Sequence, residues 1–136
     1  FMYNAIDATK IPLRVKPVKV EKEENPKNKV GRPKKSEVKE PKQPTILQQQ
    51  QTMTTTKEML SLVSTHCGVG IKQNSKGNRE VWIGGKLHIS AVDGDIPVAA
   101  FYSGANVHDS SVALPLINET SKRVNYIAKN DTKNYS

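Results

Sequence analysis

Residues 81–103 read VWIGGKLHISAVDGDIPVAAFYS, and this stretch determines the fold more than any other part of the chain. Apolar and polar side chains alternate from Val81 to Ala91, which is the period of a half-buried strand. The run Asp93-Gly94-Asp95 is typical of a tight turn. Alternation resumes from Ile96 to Tyr102. We therefore predict an antiparallel hairpin, with Lys86 and His88 on the polar side of its first strand.

A helix and a further strand are predicted after the hairpin. Asp109 or Ser110 can cap a helix, and Pro115 predicts either a kink or a later start. Apolar residues then follow at helical spacing, at Val112, Ala113, Leu116, Ile117 and Thr120. The run from Val124 to Ala128 predicts the start of another strand, which we expect to pair with the first strand of the chain.

The chain begins with a short apolar stretch, residues 1–13, that predicts a strand. Its apolar or small residues are Tyr3, Ala5, Ile6, Ala8, Ile11 and Leu13. Because both sides of such a strand would be apolar, we expect it to lie buried in the centre of a sheet. Pro12 is expected to end it.

Residues 14–80 predict a basic, low-complexity insertion between this strand and the rest of the core, residues 81–136. Five prolines and many charged side chains occupy residues 14–45, and four glutamines follow at 48–51. Such composition buries too little apolar surface to offset the entropy of ordering, so residues 14–56 are expected to be disordered. Thr56 can cap a short helix through Ser64, and Gly68, Gly70 and Gly77 predict a loop.

Composition narrows the classes of partner. The formal net charge is +8, which favours a polyanion such as nucleic acid. The longest apolar run is far shorter than the roughly 20 residues of a membrane span, so no membrane partner is expected. Cys67 is the single cysteine, which excludes an internal disulfide and leaves no second thiol for a zinc site. We expect a cytoplasmic protein, associated with the nucleoid in a prokaryote.

The predicted order of elements is strand, long insertion, hairpin, helix and strand. This order indicates an α/β fold corresponding to the first part of a ribonuclease H-like mixed sheet. A fold of this kind does not by itself define a function.

Several short runs resemble insertion-sequence transposases of the DDE type. Ala5-Ile6-Asp7-Ala8-Thr9-Lys10-Ile11-Pro12 resembles the first-strand motif of that family. Trp82-Ile83-Gly84-Gly85-Lys86-Leu87-His88 resembles the entry to its hairpin, with Gly85 in place of the usual Tyr. The run from Ser103 to Ser110 is similar to the end of the hairpin and the His-Asp-Ser start of the helix. The order and spacing of these runs carry the resemblance, which covers almost the whole chain.

The resemblance implies an activity, a metal and partners. The family cuts and rejoins DNA with two Asp and one Glu that hold Mg²⁺ or Mn²⁺. By resemblance, Asp7 and Asp131 are the catalytic and metal-binding residues, and the third carboxylate lies further along the chain in the family. The chain is therefore expected to be a truncated, inactive fragment. Its partners would be the element ends and the target DNA, and the complete enzyme would form a homodimer.

Two further groups of residues are candidates for DNA contact. Gly31-Arg32-Pro33, followed by Lys34 and Lys35, resembles an AT-hook, whose Arg lies in a narrow minor groove. The alternative is a charged, solvated linker. Lys86 and His88 would share the polar face of the hairpin and could touch phosphates, although a solvated strand face explains them equally well.

Two other acidic patterns have structural explanations. Asp93 and Asp95 flank a glycine as a hairpin turn requires, so we interpret them as turn residues rather than a catalytic pair. His108-Asp109 is interpreted as a helix cap with an adjacent histidine. Two rivals to the transposase interpretation stay open: a non-enzymatic DNA-binding module and a remnant without function.

Overall fold

The computed structural model describes residues 3–17 and 43–131 and shows a mixed α/β fold. A four-stranded antiparallel sheet packs against three helices. The elements in chain order are β1 (Asn4–Pro12), α1 (Ile46–Gln51), α2 (Thr56–Ser61), β2 (Gly68–Gln73), β3 (Arg79–Val92), β4 (Ile96–Gly104) and α3 (Ser110–Asp131). No helix among the described residues is long and apolar enough to cross a membrane.

The sheet is organised around β3, which has 14 residues. On one side β3 pairs with β1, from Asn4 opposite Val92 to Pro12 opposite Gly84. On the other side its first part pairs with β2 and its second part pairs with β4. The predicted hairpin is thereby confirmed as β3–β4, with its turn between Val92 and Ile96.

β3 bends sharply at Gly84 and Gly85. Glu80 and Lys86 would lie about 20 Å apart along a straight strand, yet Lys10, the cross-strand partner of Lys86, forms an ion pair with Glu80. The indole Nε1 of Trp82 also reaches back to the carbonyl oxygen of Gly85, at 3.3 Å. Gly84 has φ +150°, and a Cβ there would overlap the carbonyl oxygen of Ile11. Glycine is therefore required where the strand turns towards the side that the helices cover.

The expectation of a buried central first strand is wrong, because β1 is an exposed edge strand. Its inner neighbour is β3, and the strand expected on its other side, at residues 124–128, is helical. The N–H of Leu13 donates to the carbonyl of Ile83 at 2.8 Å, so alternate amides of β1 face away from the sheet. One of them, the N–H of Ala8, is bound by the Asp7 carboxylate at 2.8 Å.

α3 is one continuous helix of 22 residues, which contradicts the predicted strand from Val124 to Ala128. Two contacts of Arg123 support the helix just before this segment. Arg123 forms an ion pair with Glu119 one turn earlier, at 2.9 Å, and its guanidinium donates to the carbonyl oxygen of Val98 at 2.7 Å. The second contact joins α3 to β4.

Pro115 lies inside α3 rather than at its start, and Gln50 compensates for it. Proline has no N–H, so the carbonyl of Ser111 loses its helical donor. The Gln50 side-chain amide donates to that carbonyl at 2.7 Å and to the carbonyl of Met59 at 3.1 Å. Gln50 is completely buried. One glutamine thereby ties α1, α2 and α3 together.

Parts of the predicted insertion have regular structure. Residues 48–51 belong to α1, where Thr45 and Gln48 form a capping box, so the disorder expected for them is wrong. α2 confirms the predicted short helix, although it ends at Ser61 rather than Ser64. β2 replaces the loop expected from Gly68, because Gly70 leaves the space that the Trp82 ring fills. The rest of the expected disorder falls on residues 18–42, which lie outside the described residues.

The small core lies on one side of the sheet, where α3 packs and α1 and α2 pack against α3. It consists of Val63, Ala99, Val112 and Leu116, with Phe101 and Val107 at its border. The alternation in β3 was predicted correctly, but its polar residues His88 and Ser90 face the helices and are buried. The apolar residues Val81 and Ile83 lie on the other face and are exposed.

We predict that Gln50→Ala lowers the free energy of unfolding by about 1–3 kcal/mol, because it leaves two buried carbonyls without a donor. The exposed neighbour Gln51 provides the control, since Gln51→Ala should change stability by less than about 0.5 kcal/mol. In a Pro115→Ala background the N–H of residue 115 can bond Ser111, so Gln50→Ala should cost less. Urea denaturation of the four variants measures this coupling, and additive losses would contradict the assignment.

Candidate functional site

An open cleft of about 640 Å³ lies inside the bend of β3, on the side of the sheet that carries the helices. It is bordered by β1, by the β2–β3 hairpin and by the residue that precedes α3. The charged side chains around it are Asp7, Lys10, Lys72, Glu80, Lys86 and Asp109. Trp82 and Asn74 also line it. Among the described residues, the predicted metal ligand Asp7 and the predicted DNA contact Lys86 both line this cleft.

Two ion pairs cross the cleft walls. Lys10 of β1 pairs with Glu80 of β3, and both side chains are about half exposed. Lys86 of β3 donates to the Asp109 carboxylate and to the carbonyl of Val107, both at 2.9 Å. The Lys86 side chain is 18% exposed, which is less than that of Lys10. Lys86 is thus fixed by two acceptors, whereas the Lys10–Glu80 pair is solvated and contributes little stability.

Asp7 lies at the rim of this cleft, in the middle of the exposed edge strand β1. Its carboxylate accepts a hydrogen bond from the N–H of Ala8, which points away from the sheet. The sequence-based argument for Asp7 rested on the expected burial of an acid in an apolar strand. The exposed position removes that argument, so the candidacy of Asp7 rests on the resemblance and on its place beside the cleft.

Asp131, the second predicted metal ligand, is the last residue of α3. Thr120 of the same helix donates to Ser90 of β3, at 2.7 Å, and Ser90 lies next to Ile89, the cross-strand partner of Asp7. From Thr120 the helix rises about 16 Å to Asp131. The side chain of Asp131 lies outside the described part of the chain, so its role as a metal ligand stays a prediction.

The described residues do not fit a two-metal site. Such a site needs several carboxylates that converge on the ions, and the side chains described at residues 3–17 and 43–130 contain no group of three His, Cys, Asp or Glu able to hold a metal. Asp109, the acid near the centre of the cleft, already binds Lys86. No reaction step through Mg²⁺ or Mn²⁺ can be assigned to these residues.

His88 is not available to a phosphate, because its side chain is 1% exposed beneath α3. Its Nε2 is hydrogen-bonded to the hydroxyl of Ser103 at 2.8 Å, and its Nδ1 lies 4.0 Å from the Asp109 carboxylate. Burial lowers the pKa of His88 below its usual 6.5; Asp109 opposes this shift and Lys86 adds to it. The prediction that His88 touches DNA is corrected by this burial.

Ser103, His88 and Asp109 have the residue types of a hydrolytic triad, but their geometry opposes that function. A nucleophilic serine must reach a substrate, and Ser103 is completely buried. Its hydroxyl donates to the carbonyl of Gly104, at 3.3 Å, and the 4.0 Å between His88 and Asp109 exceeds hydrogen-bonding distance. We interpret His88 and Ser103 as a buried polar contact between β3 and β4, with the exposed Asp109 nearby at the start of α3.

The remaining predicted DNA contacts, Arg32, Lys34 and Lys35, lie outside the described residues and stay predictions. Sequence reasoning missed the pairing of Lys86 with Asp109 and of Lys10 with Glu80. Their sequence separations of 23 and 70 residues gave no local signal.

Comparison of the chain with protein-family models, with curated proteins and with solved structures found no match.

We predict that His88 makes the fold less stable in acid. The lowered pKa means that the unfolded chain takes up a proton at His88 before the folded chain does. Its contribution is therefore fully present above pH 6.5 and is lost as the pH falls through the range between 6.5 and the lowered pKa. His88→Gln removes this titration, so the wild type should lose more stability than the variant between pH 7.5 and pH 5. Urea denaturation at both pH values tests this, and equal losses would contradict it.

Proposed function

We propose that the chain is part of the catalytic domain of a DDE-type transposase with a ribonuclease H-like core. The observation that carries this proposal is the position of the resembling first-strand motif. It forms β1, which pairs with the long hairpin strand and presents Asp7 at the rim of a lysine-bearing cleft. A first carboxylate on such a strand, beside cations that can contact phosphates, suits DNA cleavage and strand transfer.

Two features of the sheet support this assignment. The strands β1, β3 and β4 are antiparallel neighbours, and α3 crosses one face of them, in the order expected for the first part of a ribonuclease H-like sheet. No strand among the described residues pairs with the outer edge of β1, and an exposed edge of this kind can accept a further strand. The resembling His108-Asp109-Ser110 run stands at the start of α3, with Asp109 bound to Lys86.

In this proposal the residues described here position the DNA rather than complete the chemistry. Lys86, fixed by Asp109 and Val107, is placed to meet a backbone phosphate near Asp7. The metal ions, Mg²⁺ or Mn²⁺, would need carboxylates beyond those the structure brings together. Asp131 is proposed as one of them by resemblance alone.

We predict that the 136-residue chain neither cuts nor joins DNA carrying its element ends, with Mg²⁺ or with Mn²⁺. Loss of metal ligands should lower the rate by orders of magnitude, because this chemistry depends on positioning and charge stabilisation. In this proposal, a longer form of the protein that supplies the third carboxylate of the family should give strand cleavage. Asp7→Ala in the extended protein should abolish it.

The isosteric Asp7→Asn variant tests the same point with less disturbance of β1, and Asp95→Asn in the hairpin turn is the matched control. Gel analysis of end-labelled DNA provides the readout. Cleavage by the purified 136-residue chain that survives Asp7→Ala would show that both the site and the expected inactivity are wrong.

A second candidate function is DNA binding without catalysis, favoured by the distribution of charge. Residues 18–42 contain nine Lys or Arg and five Glu, so they carry +4 of the net charge of +8. Within them, residues 27–35 contain five cations and no acid, at Lys27, Lys29, Arg32, Lys34 and Lys35. Such a segment can neutralise several phosphates and bind DNA with little sequence preference.

We predict weak DNA binding with a logarithmic salt slope of about −0.9 per phosphate neutralised. Replacement of Arg32, Lys34 and Lys35 by Ala should make the slope less steep by up to about three phosphates. The matched control is Ala at Lys57, Lys122 and Lys129, which removes the same charge from the helices. The measurement is fluorescence anisotropy over roughly 50 to 300 mM salt, a range in which such slopes are resolved. Equal slopes for the two triple variants would place the contacts elsewhere.

A further inference from the structure

Trp82 of β3 offers one face of its indole ring to the cleft. Gly70 of β2 is its cross-strand partner, and a Cβ added at Gly70 would lie 2.4, 2.5 and 2.6 Å from three neighbouring ring carbons. Nearly equal distances to three ring atoms mean that the ring lies flat over the backbone of Gly70. Because the same ring lines the cleft, the face turned away from Gly70 is the one that a ligand can reach.

The indole ring is held in this orientation before any ligand arrives. Its Nε1 donates to the carbonyl oxygen of Gly85 at 3.3 Å, so the polar atom of the ring has a partner. Gly70 has no side chain to displace the ring, and Trp82 is partly exposed. A side chain that is already ordered loses little conformational entropy when it binds, which favours a binding platform.

The two charged residues beside the ring differ in whether they have partners. Lys72 follows Gly70 on the same face of β2, opposite Glu80 of β3, and both charged side chains line the cleft. Glu80 pairs with Lys10, so its negative charge is compensated. Lys72 forms no ion pair with any side chain that the structure describes. The cation next to the indole is therefore free to bind an anion.

The other acids of the cleft do not add free negative charge beside the ring. Asp109 is bound by Lys86 at 2.9 Å. Asp7 is at the rim, three residues along β1 from Lys10, which is roughly 10 Å in a strand. The surface around the indole therefore suits an aromatic anion better than an uncharged sugar, whose hydroxyls would need free acceptors.

An accessible aromatic face next to a free lysine is a combination that binds unpaired nucleotides. Each base has a π-face that stacks on an aromatic ring, and a lysine contacts the phosphate beside it. In a duplex both faces of a base are covered by its neighbours, so a base must be unpaired or extruded to reach the ring. The cleft volume of about 640 Å³ lies within the range of roughly 300–1,000 Å³ that is typical of small-ligand sites.

We propose that the cleft holds an unpaired base of a single nucleic-acid strand, stacked on Trp82, with the adjacent phosphate at Lys72. The proposal deepens the proposed function and rests on it for the choice of DNA as the strand. Stacking on Trp82 needs neither a metal ion nor catalysis, so it is measured separately from that function. A free nucleotide carries the same base and phosphate, and the experiment distinguishes it from a strand.

Trp82 is the single tryptophan of the chain, so its fluorescence reports directly on the site. The full chain carries Arg32→Ala, Lys34→Ala and Lys35→Ala, which removes these three cations as competing contacts. It is titrated with an oligothymidylate of about eight nucleotides, a length within the range of single-strand sites. The comparison ligands are an abasic strand with the same phosphates, a duplex and thymidine monophosphate.

We expect the oligothymidylate to quench the fluorescence of Trp82 without added metal, because a stacked base contacts the indole directly. The abasic strand and the duplex should leave the emission unchanged, since neither offers a free base face. Equal quenching by the abasic strand would overturn the stacking. Equal quenching by thymidine monophosphate at the same nucleotide concentration would assign the site to a free nucleotide and overturn the choice of a strand.

Substitutions of the ring and of the lysine are compared by the anisotropy of a dye-labelled oligothymidylate. Trp82→Leu should weaken binding by roughly five- to a hundredfold, whereas Trp82→Phe should retain most of it. The matched control is Tyr126→Leu, which removes an exposed aromatic ring of α3 outside the cleft and should leave the affinity unchanged. Lys72→Ala should make the logarithmic salt slope less steep by about one phosphate, while Lys57→Ala on α2 should not.

Circular dichroism of each variant confirms that the fold is intact before affinities are compared. Equal affinities of Trp82→Leu and Tyr126→Leu would overturn the platform, and an unchanged salt slope in Lys72→Ala would overturn the phosphate contact. Quenching of the 136-residue chain without cleavage by a longer form of the protein would support the base site and reject the proposed enzyme. Cleavage without quenching would reject the base site alone.

Discussion

The pairing of β3 on both of its sides is the constraint on which the rest of the structure depends. β1 reaches it on one side, while β2 and β4 follow one another on the other side. Each of these three strands has β3 as its partner in the sheet, so the fold has no alternative route for joining them. The two glycines in the middle of β3 then determine the shape of the sheet, because they let the strand bend and enclose a cleft.

The bend and the helices divide the polar residues of the sheet into two groups with different roles. Beneath α3, His88 and Ser90 are buried. His88 bonds Ser103 of β4 within the sheet, whereas Ser90 accepts from Thr120 and so joins the sheet to the helix. Ahead of α3, Lys10, Glu80 and Lys86 remain around the cleft, where a ligand can reach them. The same alternation therefore serves packing in one half of the strand and produces a candidate binding surface in the other half.

The opposite face of the sheet carries the larger apolar side chains and has no described helix over it. Exposed apolar surface on this face is unfavourable for an isolated domain. β1 is likewise exposed, at the edge of the same sheet.

The sequence by itself determined the local elements: the period of two in residues 81–103, the turn at Asp93-Gly94-Asp95 and the helix start at Ser110. These follow from interactions between near neighbours, which a pattern records. Tertiary structure decided which face of β3 is buried, because alternation defines two faces without saying which one the helices cover. It also decided that residues 124–128 continue α3, and that Gln50 is a core residue, through the carbonyl that Pro115 leaves free. The cleft could not be predicted from the sequence either, because Lys10 and Glu80 come together only when β3 bends.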